Sequence, residues 1–424
     1  MQKEDCMKKR LLALLLTLPI AANFLIGCNS KIHATNLVDG KESTNSFNIA
    51  APSENDTIVA TDFAIRLFQQ AKNGEENALI SPLSILPALA MAANGAKEET
   101  LSQIELTFCM PMKDMNAYLD SYIHNLPKEE DCKFHLANSI WIRDTKDFSV
   151  EDNFLKTAAR YYDAEIYQTT FDEHALADMN HWVSDQTDNM IPTILDQIAP
   201  ESYLYLLNAL SFDSKWSSIY ESSSVQGGIF TTEDGTSQDV EMMHSGEYEY
   251  IEDEYVTGFL KPYSGYSYAF VALLPKEGIS LIEYVNSLDG NHLHHLLTNV
   301  EDYPVTTGIP KFEAEFTIDM IPSLQTLGIQ HAFDKDYADF TGIGSFDSPK
   351  DRLFINTVVH KSFLAVDEQG TKAGAATMVG MEKSSAPMNP EQPKEVILDR
   401  PFLYMIVDYE NKFPIFIGTA DDMQ

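Results

Sequence analysis

The residue types that most often perform chemistry are present in this sequence, but their spacing does not form an active site. His360 lies near serines, and a histidine that activates a serine is the pairing on which serine hydrolases depend. The G-x-S-x-G turn that presents such a serine does not occur in the chain. We therefore expect a protein that is not an enzyme.

Histidines and cysteines could also bind a metal. His292, His294 and His295 stand together in "NHLHHLL" (291–297), but this spacing does not place all three on one face of a helix, so it favours a solvated helix. Cys109 and Cys132 have no histidines nearby at zinc-ligand spacing. A single disulfide between these two cysteines and two unbonded thiols both stay open. We expect no metal and no other cofactor.

A segment of small residues is the least conventional part of the chain. "DEQGTKAGAATMVGMEKSSAP" (367–387) lies between "LFINTVVHKSFLAV" (353–366) and "RPFLYMIVDYENKFPIFIGTA" (400–420), whose β-branched and aromatic residues predict strands. Alanine and glycine are poor strand formers, and glycine also weakens a helix. By composition alone, the segment would be a surface linker.

The N-terminus has the features of an export signal. Basic residues at 8–10 precede the apolar run 11–26, which is too short for a comfortable membrane span and is followed closely by Cys28. The sequence "LIGC" at this point resembles the bacterial lipobox, in which the cysteine is acylated. We expect residues 1–27 to be a lipoprotein signal peptide and residues 28–55 to be a lipidated N-terminus and flexible linker. The protein would then be exported and held on the periplasmic or cell-surface side of a membrane.

The charge of the chain restricts its partners. The sequence has 29 basic and 64 acidic residues, a formal net charge of −35 at pH 7. Residues 1–27 contain four basic and two acidic residues, so the mature balance is 25 against 62, or −37. A surface of this sign repels phosphate and sulfate groups, so we expect no nucleic acid as a partner.

The pattern of apolar residues predicts a mixed fold. Helical spacing occurs early in the chain and strand-type segments dominate later, which is typical of the α+β class. We predict helices at 57–72, 81–96 and 180–195, and strands at 203–212, 266–275, 305–318 and in the segments 353–366 and 400–420. Neither a second linker nor an internal repeat interrupts the chain, so residues 56–424 are predicted to form one domain.

Eight segments occur in the order in which one protein family has them, and together they make the chain resemble a serpin, a member of the serine protease inhibitor family. The resemblance covers nearly the whole mature length. The segments are "ISPLSILPALAMAANGAKEET" (80–100), "NHWVSDQTDNMI" (180–191), "LNALSFDSKW" (207–216), "FTTEDGTSQDVEMM" (230–243), "PKFEAEFTIDMIPSLQTLGI" (310–329), "HAFDKDYADFTGI" (331–343), "VVHKSFLAVDEQGT" (358–371) and "RPFLYMIVD" (400–408).

The resemblance implies a serpin fold of three β-sheets surrounded by helices, with an exposed reactive loop at about 368–400. In this family, a protease cuts the loop, which then inserts as a strand of the central sheet. Inward positions of such a strand must be small or apolar, and alternate residues from Thr371 to Met381 meet this requirement. The loop hinge would consist of Glu368, Gly370, Thr371, Ala373, Ala375, Ala376 and Thr377.

The family's usual spacing from the hinge places the reactive bond at Ser384–Ser385, and a loop shorter by one residue would place it after Lys383. Lys383 would attract trypsin-like proteases, whereas Ser384 suits elastase- or subtilisin-like proteases with small specificity pockets. Cysteine proteases are further candidate partners. The segment from Ser385 to Arg400 is longer than the family usually shows.

Residues outside the loop also match family positions. Ser81, Ser84, Asn208 and His360 match the polar cluster under the sheet that opens, where buried polar groups must satisfy one another. Trp216 matches the aromatic residue beneath the point at which insertion begins. The segment 118–131 lies where heparin-activated relatives have basic residues, but it is largely acidic, so we expect no heparin-type polyanion as a partner.

The function implied by the resemblance is suicide-substrate inhibition of serine proteases by a monomer. The protease would be trapped as a covalent acyl-enzyme when the cleaved loop inserts into the central sheet. The alternative is a non-inhibitory serpin, a ligand carrier or surface-interaction protein whose loop is cut without trapping. The small-residue hinge favours the inhibitor.

Overall fold

Helices begin at capping residues that the sequence supplies. The computed structural model describes residues 32–39, 50–74, 77–128, 132–162, 164–371 and 392–423. Ser53 and Ser81 cap the first two helices by accepting hydrogen bonds from amides three residues later. The helices of this described part are α1 (Glu54–Lys72), α2 (Pro82–Ala93), α3 (Glu98–Phe108), α4 (Met112–His124), α5 (Asp152–Tyr162), α6 (Glu173–Gln186), α7 (Leu281–Ser287), α8 (Gly290–Thr298) and α9 (Ile321–Leu327).

Strands dominate the later half of the chain, as predicted. They are β1 (Thr35–Asn36), β2 (Ala78–Ile80), β3 (Cys132–Arg143), β4 (Phe148–Val150), β5 (Glu165–Thr169), β6 (Leu204–Lys215), β7 (Val225–Thr231), β8 (Ser237–Glu252), β9 (Val256–Pro262), β10 (Tyr268–Pro275), β11 (Glu301–Pro310), β12 (Phe312–Asp319), β13 (Gly344–Phe346), β14 (Val359–Val366), β15 (Gly370–Thr371), β16 (Lys394–Ile397), β17 (Phe402–Asp408) and β18 (Pro414–Ala420).

The strands of the described residues form three sheets. The seven-stranded sheet has the order β1-β5-β3-β6-β15-β14-β12, and the nine-stranded sheet has the order β16-β11-β8-β9-β10-β17-β18-β2, with β7 paired to β8. β4 and β13 form a small third sheet. The α+β class and the three sheets are as predicted.

The core lies between the two large sheets. α2 is buried along its whole length and contacts both β6 of the seven-stranded sheet and β18 of the nine-stranded sheet. β10, β17 and β18 are also buried at every residue, which explains why their sequences are apolar runs instead of alternating patterns. None of the helices in the described ranges is both long and apolar enough to cross a membrane.

The predicted helix at 180–195 is wrong beyond Gln186. α6 begins earlier than predicted, at Glu173, and ends because Asp188 and Asn189 adopt left-handed backbone conformations, with φ of 49° and 64°. The chain then folds back on the helix, where the Asn180 side-chain oxygen accepts hydrogen bonds from the amides of residues 194 and 195.

Three predicted strand segments have different limits in the structure, and one of them, 400–420, forms the two strands β17 and β18. The segment 305–318 forms two strands, because the chain passes from the nine-stranded to the seven-stranded sheet at Lys311. The apolar positions change parity at this point, from residues 305 and 309 to residues 312, 314, 316 and 318, and this change is the signal that the sequence analysis missed. In the segment 353–366, only Val359–Val366 is a strand.

Part of the predicted flexible linker 28–55 is ordered against the domain. The amides of His33 and Ala34 donate to the buried Asp178 carboxylate at 2.8 and 3.0 Å, and β1 pairs with β5 through Thr35 opposite Gln168. The prediction of a linker is therefore wrong for residues 33–36. It failed because an edge strand of two residues is too short to leave a sequence pattern.

Candidate functional site

The first residues of the predicted hinge already form a strand. In β15, Gly370 lies opposite Lys215 and Thr371 lies opposite Ser214 of β6, and Thr371 also lies opposite Val366 of β14. Both β15 residues are buried. The hinge therefore enters the seven-stranded sheet between two of its strands.

β6 and β14 extend well beyond the two residues of β15. From the point of pairing, β6 reaches back to Leu204 and β14 reaches back to Val359. Within the described ranges, these strands share no ladder with each other, and β15 is what joins them in the sheet. Their facing edges therefore have the length and the backbone groups to pair with a longer strand.

A tight turn at residues 367–370 connects β14 to β15. The Asp367 amide donates to the Gly370 carbonyl at 3.0 Å, and the Asp367 carboxylate accepts from the amides of Gln369 at 2.7 Å and Gly370 at 3.1 Å. Gly370 also approaches β6 closely. A Cβ at this position would lie 2.1 Å from the Ser214 carbonyl oxygen and 2.7 Å from the Lys215 Cα, so a larger residue does not fit.

Trp216 and Tyr220 hold this turn against the end of β6. Three consecutive carbonyls of the turn each accept a hydrogen bond: Asp367 from the Trp216 indole at 2.8 Å, Glu368 from the Tyr220 amide at 3.0 Å and Gln369 from the Trp216 amide at 2.9 Å. Trp216 thus lies at the point where the hinge enters the sheet.

Trp216 also connects the turn to the core. It is 2% exposed and stacks on Tyr263, with ring centroids 4.7 Å apart. The Tyr263 hydroxyl contacts the Thr371 hydroxyl beneath the sheet. The Thr371 side chain therefore points inward.

Glu368 of the hinge is oriented by Lys311. The Lys311 ammonium lies 2.7 Å from the Glu368 carboxylate and 3.4 Å from that of Glu241. The hydrogen bond between Lys311 and Glu368 lowers the pKa of Glu368 and raises the pKa of Lys311. Because both side chains are partly exposed, solvent screens the pair, and it orients Glu368 more than it stabilises the fold.

The four predicted polar residues meet where α2 begins beneath the seven-stranded sheet. The Ser81 amide donates to His360 Nε2 at 3.1 Å, and the Ser84 hydroxyl donates to the Asn208 side-chain oxygen. Ser81 Oγ also accepts from the Ser84 amide, which caps the helix. Helix α2 is thus hydrogen-bonded to both β6 and β14, the two strands that flank the hinge.

Asn138 and Ser362 belong to this polar cluster, although the sequence analysis did not include them. The Asn208 side chain donates to the Asn138 oxygen at 2.5 Å, and Ser362 Oγ lies 2.7 Å from His360 Nε2. A signal was available for both. Asn138 interrupts the inward apolar positions of β3, and Ser362 stands two residues from His360 on the same face of β14.

His360 is a neutral imidazole within the cluster. Its Nε2 accepts the Ser81 amide proton, so the ring proton resides on Nδ1. Burial disfavours the charged form and lowers the pKa of His360 to about 3. At neutral pH the ring is therefore a fixed hydrogen-bond acceptor.

The disulfide that the sequence left open is not formed. Cys109 is exposed and ends α3 in a left-handed conformation, whereas Cys132 is buried at the start of β3, opposite Ser214. The two thiols are held by different elements in different environments. The remaining predicted residues lie outside the described ranges: Cys28, Ala373, Ala375, Ala376, Thr377, Lys383, Ser384 and Ser385.

The histidines of the segment 291–297 lie on α8, and two of them contact separate carboxylates. His292 Nε2 lies 2.8 Å from Asp253, and His294 Nε2 lies 3.0 Å from Glu54. In the residues that the structure describes, no group of three histidine, cysteine or acidic side chains could hold a metal.

Replacing His360 by glutamine should make the free energy of unfolding less sensitive to acid. Glutamine can still accept the Ser81 amide proton but does not titrate. In the wild type, His360 has a pKa of 6.5 when the chain is unfolded and a pKa of about 3 when it is folded. Stability from this group is therefore complete above pH 6.5 and decreases by about 1.4 kcal/mol per pH unit as the pH falls towards 3.

Urea unfolding at several pH values measures this difference. Wild type and His360→Gln share all carboxylates, so the difference between their slopes isolates His360. The matched control is His135→Gln, at an exposed histidine on β3 of the same sheet, and an equal change of slope in both variants would overturn the assignment to burial of His360. Equal slopes for wild type and His360→Gln would contradict a buried neutral histidine.

Replacing Gly370 by alanine should displace β15 from β6, because the new Cβ would overlap the Ser214 carbonyl. We expect the loss of roughly two hydrogen bonds, or about 2 kcal/mol of stability, and faster hydrogen exchange at the Thr371 and Trp216 amides. Gly227→Ala on β7, where no atom lies within 4 Å of the position that the new methyl group would take, is the control and should behave as wild type. Unchanged exchange in Gly370→Ala would rule out the tight approach.

Known proteins have the same architecture. The family model described as Serpin (serine protease inhibitor) matches residues 59–422. An uncharacterized serpin-like protein of Thermococcus kodakarensis is 30% identical over 365 residues, 84% of this chain and 83% of its own. Leukocyte elastase inhibitor A of Mus musculus is 30% identical over 379 residues, 85% of this chain and 97% of its own. The crystal structure of the thermophilic serpin tengpin in its native state has a TM-score of 0.85 and 43% identity, covering 92% of this chain and 99% of its own. The chain therefore belongs to the serpin family.

Proposed function

We propose that the protein inhibits serine proteases by inserting its cleaved reactive loop into the seven-stranded sheet. The observation that carries the proposal is β15, which begins a strand between β6 and β14 at a point from which both neighbours extend further. A relative named as an elastase inhibitor, 30% identical to this chain, supports the same class of activity.

The register of β15 can be continued along both neighbours to describe the inserted state. In the inserted state, every second hinge residue would face inward between one residue of β6 and one residue of β14. The expected neighbours are Phe212 and Leu364 for Ala373, Leu210 and Ser362 for Ala375, and Asn208 and His360 for Thr377. Small side chains would thus enter the buried apolar rows, and a hydroxyl would reach the polar cluster. One inserted strand accounts for both the alternation in the hinge and the position of the cluster.

The protease supplies the covalent chemistry. Its serine attacks the carbonyl of the reactive bond, the peptide C–N bond breaks, the new amine leaves with a proton, and an acyl-enzyme remains. Insertion of the freed loop then pulls the attached protease along the sheet. A displacement of about 1 Å in the catalytic groups can cost on the order of 100-fold in rate, so hydrolysis of the ester stalls.

Insertion is favourable because it pairs backbone groups along β6 and β14 and buries apolar side chains. Each new hydrogen bond contributes about 1 kcal/mol net, and each buried methylene contributes about 0.8 kcal/mol. A strand that extends from β15 to the far ends of its neighbours would therefore make the trapped state irreversible in practice.

The target follows from the reactive bond. Cleavage after Lys383 requires a trypsin-like protease, and cleavage after Ser384 requires an elastase- or subtilisin-like protease. Some cysteine proteases form a comparable acyl-enzyme and are included as partners in the proposal.

Incubation with trypsin, a pancreatic-type elastase, subtilisin and papain tests the proposal. The chain from residue 29 should give a band near the summed masses of inhibitor and protease that survives boiling in denaturant. Mass spectrometry of the released C-terminal peptide should place the cut at Lys383 or Ser384. If every protease cuts the loop and stays active, the inhibitory function fails, and the chain is a non-inhibitory serpin.

Thr371→Arg separates trapping from cutting. Thr371 is 1% exposed beneath the sheet, and an arginine cannot be buried there without a partner. We expect this variant to be cut at the same bond and at a similar rate but to give at least about tenfold less covalent complex, which corresponds to roughly 1.4 kcal/mol in the insertion barrier. Thr371→Ser keeps the hydroxyl and is the control.

We further propose that the protein is an exported lipoprotein, tethered through an acyl group on Cys28 to the periplasmic or cell-surface side of a membrane. The order of basic residues, apolar run and cysteine in the sequence supports this proposal. The ordered segment that begins near His33 would place the domain within a few residues of the lipid.

Labelling with an alkyne analogue of palmitate should modify the wild type and leave Cys28→Ser unmodified and released from the membrane fraction. Acyl chains hold a protein by methylene burial, so removal of the attachment cysteine removes the anchor. Cys109→Ser, at the exposed thiol, is the matched control and should stay labelled. A labelled Cys28→Ser would overturn this assignment.

A further inference from the structure

Lys261 of β9 is a lysine inside the protein. Its side chain is 1% exposed, and its ammonium lies 2.6 Å from the Glu247 carboxylate and 3.5 Å from Ser245 Oγ. A buried ammonium is costly unless it is paired and hydrogen-bonded, so this position is occupied at some expense to stability. Replacing a buried ion pair by apolar residues often leaves the stability of the fold unchanged. The presence of such a pair therefore needs an explanation other than stability.

The Lys261 ammonium also lies over two aromatic rings. It is 4.5 Å from the centre of the Tyr220 ring and 5.5 Å from the centre of the Trp216 ring, both within the range of cation–π attraction. These are the two residues whose amides and indole hold the carbonyls of the turn at 367–370. The Lys261 ammonium thus contacts both residues that hold the turn, Trp216 and Tyr220.

The groups around Lys261 come from two other strands of the nine-stranded sheet. Ser245 and Glu247 lie on β8, and Thr307 lies on β11. Ser245 Oγ is 2.6 Å from Glu247, 3.0 Å from Thr307 Oγ1 and 3.3 Å from the Tyr220 hydroxyl. The ammonium is therefore fixed from beneath by a hydrogen-bonded frame that does not include the hinge.

We infer that Lys261 is a positioning residue for loop insertion: with Glu247 it fixes Trp216 and Tyr220, and these fix the turn from which the inserted strand starts. The inference rests on the proposed inhibitory function and adds to it a residue of the other large sheet. Because the turn is preformed, the cleaved loop can extend the strand without first having to reverse the chain.

This role affects one branch of the reaction. After acylation, the complex either inserts the loop and is trapped or is hydrolysed and releases active protease. A loosened turn slows insertion but leaves attack on the reactive bond unchanged, so more inhibitor molecules are consumed for each protease trapped. The partition between complex and cleaved inhibitor therefore reports the role of Lys261 directly.

The test uses the full chain with the double substitution Lys261→Met and Glu247→Gln, which removes the charge without leaving a partner ionised and alone. We expect the ratio of cleaved inhibitor to covalent complex to rise roughly tenfold, as the loss of two cation–π contacts implies. The rate of loop cleavage should be unchanged. Lys261→Arg keeps a cation over the rings and should restore the wild-type partition.

Lys276→Met with Glu252→Gln is the matched control. This pair has the same chemistry and a similar distance of 2.9 Å, with Glu252 on β8 and Lys276 directly after β10, but it is one-third exposed and its ammonium is hydrogen-bonded to Glu252 and Asp253 instead of contacting Trp216 or Tyr220. It should leave the partition unchanged. If both double variants raise the ratio equally, general loss of stability is the cause and the inference is overturned.

Hydrogen exchange of the uncleaved protein gives a readout that needs no protease. In the Lys261 double variant, the Trp216 and Tyr220 amides should exchange faster, while those of the control stay as in wild type. Unchanged exchange would overturn the positioning role whatever the inhibition result. If exchange is faster but the wild type traps none of the four proteases, the positioning of the turn stands and the proposed function fails.

Discussion

The constraint on which the structure depends is the hydrogen bonding of two strand edges, those of β6 and β14. Backbone amides and carbonyls must be paired with protein or with water. At one end of these strands, β15 pairs with both edges through two residues, and Trp216 and Tyr220 fix the turn that brings it there. β15 is thus a short strand. Both of its neighbours continue well beyond it, with edges that could pair with a longer strand.

The positions of the other site residues follow from this pairing. The turn needs Asp367 to complete its hydrogen bonds and Gly370 to pass close to Ser214. Thr371 must be small enough to fit over Tyr263. The geometry at which the chain enters the sheet therefore restricts which residue types fit at these positions of the hinge.

Much of this site could be predicted from the sequence, because the segments that resemble the serpin family imply where the hinge, Trp216 and the polar residues lie, and the small alternating residues of the hinge agree with that resemblance. Hydrogen bonds between distant residues could not be predicted. The docking of His33 on Asp178 has no periodic pattern, and the transfer between sheets at Lys311 is marked only by a change in the parity of the apolar positions. Asn138 is a polar residue among the inward apolar positions of β3, so the sequence could have marked it as unusual. Its partner Asn208 is identified only by the register of β3 and β6.

The polar cluster beneath the sheet has a physical advantage over apolar packing in the proposed mechanism. Ser84 of α2 and the cap residue Ser81 are hydrogen-bonded to Asn208 of β6 and His360 of β14, the strands that would move apart in the proposed mechanism. If apolar side chains joined these strands, separation would open a cavity whose cost grows with its volume. In the proposed insertion, hydrogen bonds can instead be exchanged one for one at little net cost. A neutral His360 suits this exchange, because an imidazole can accept from a hydroxyl as readily as from an amide.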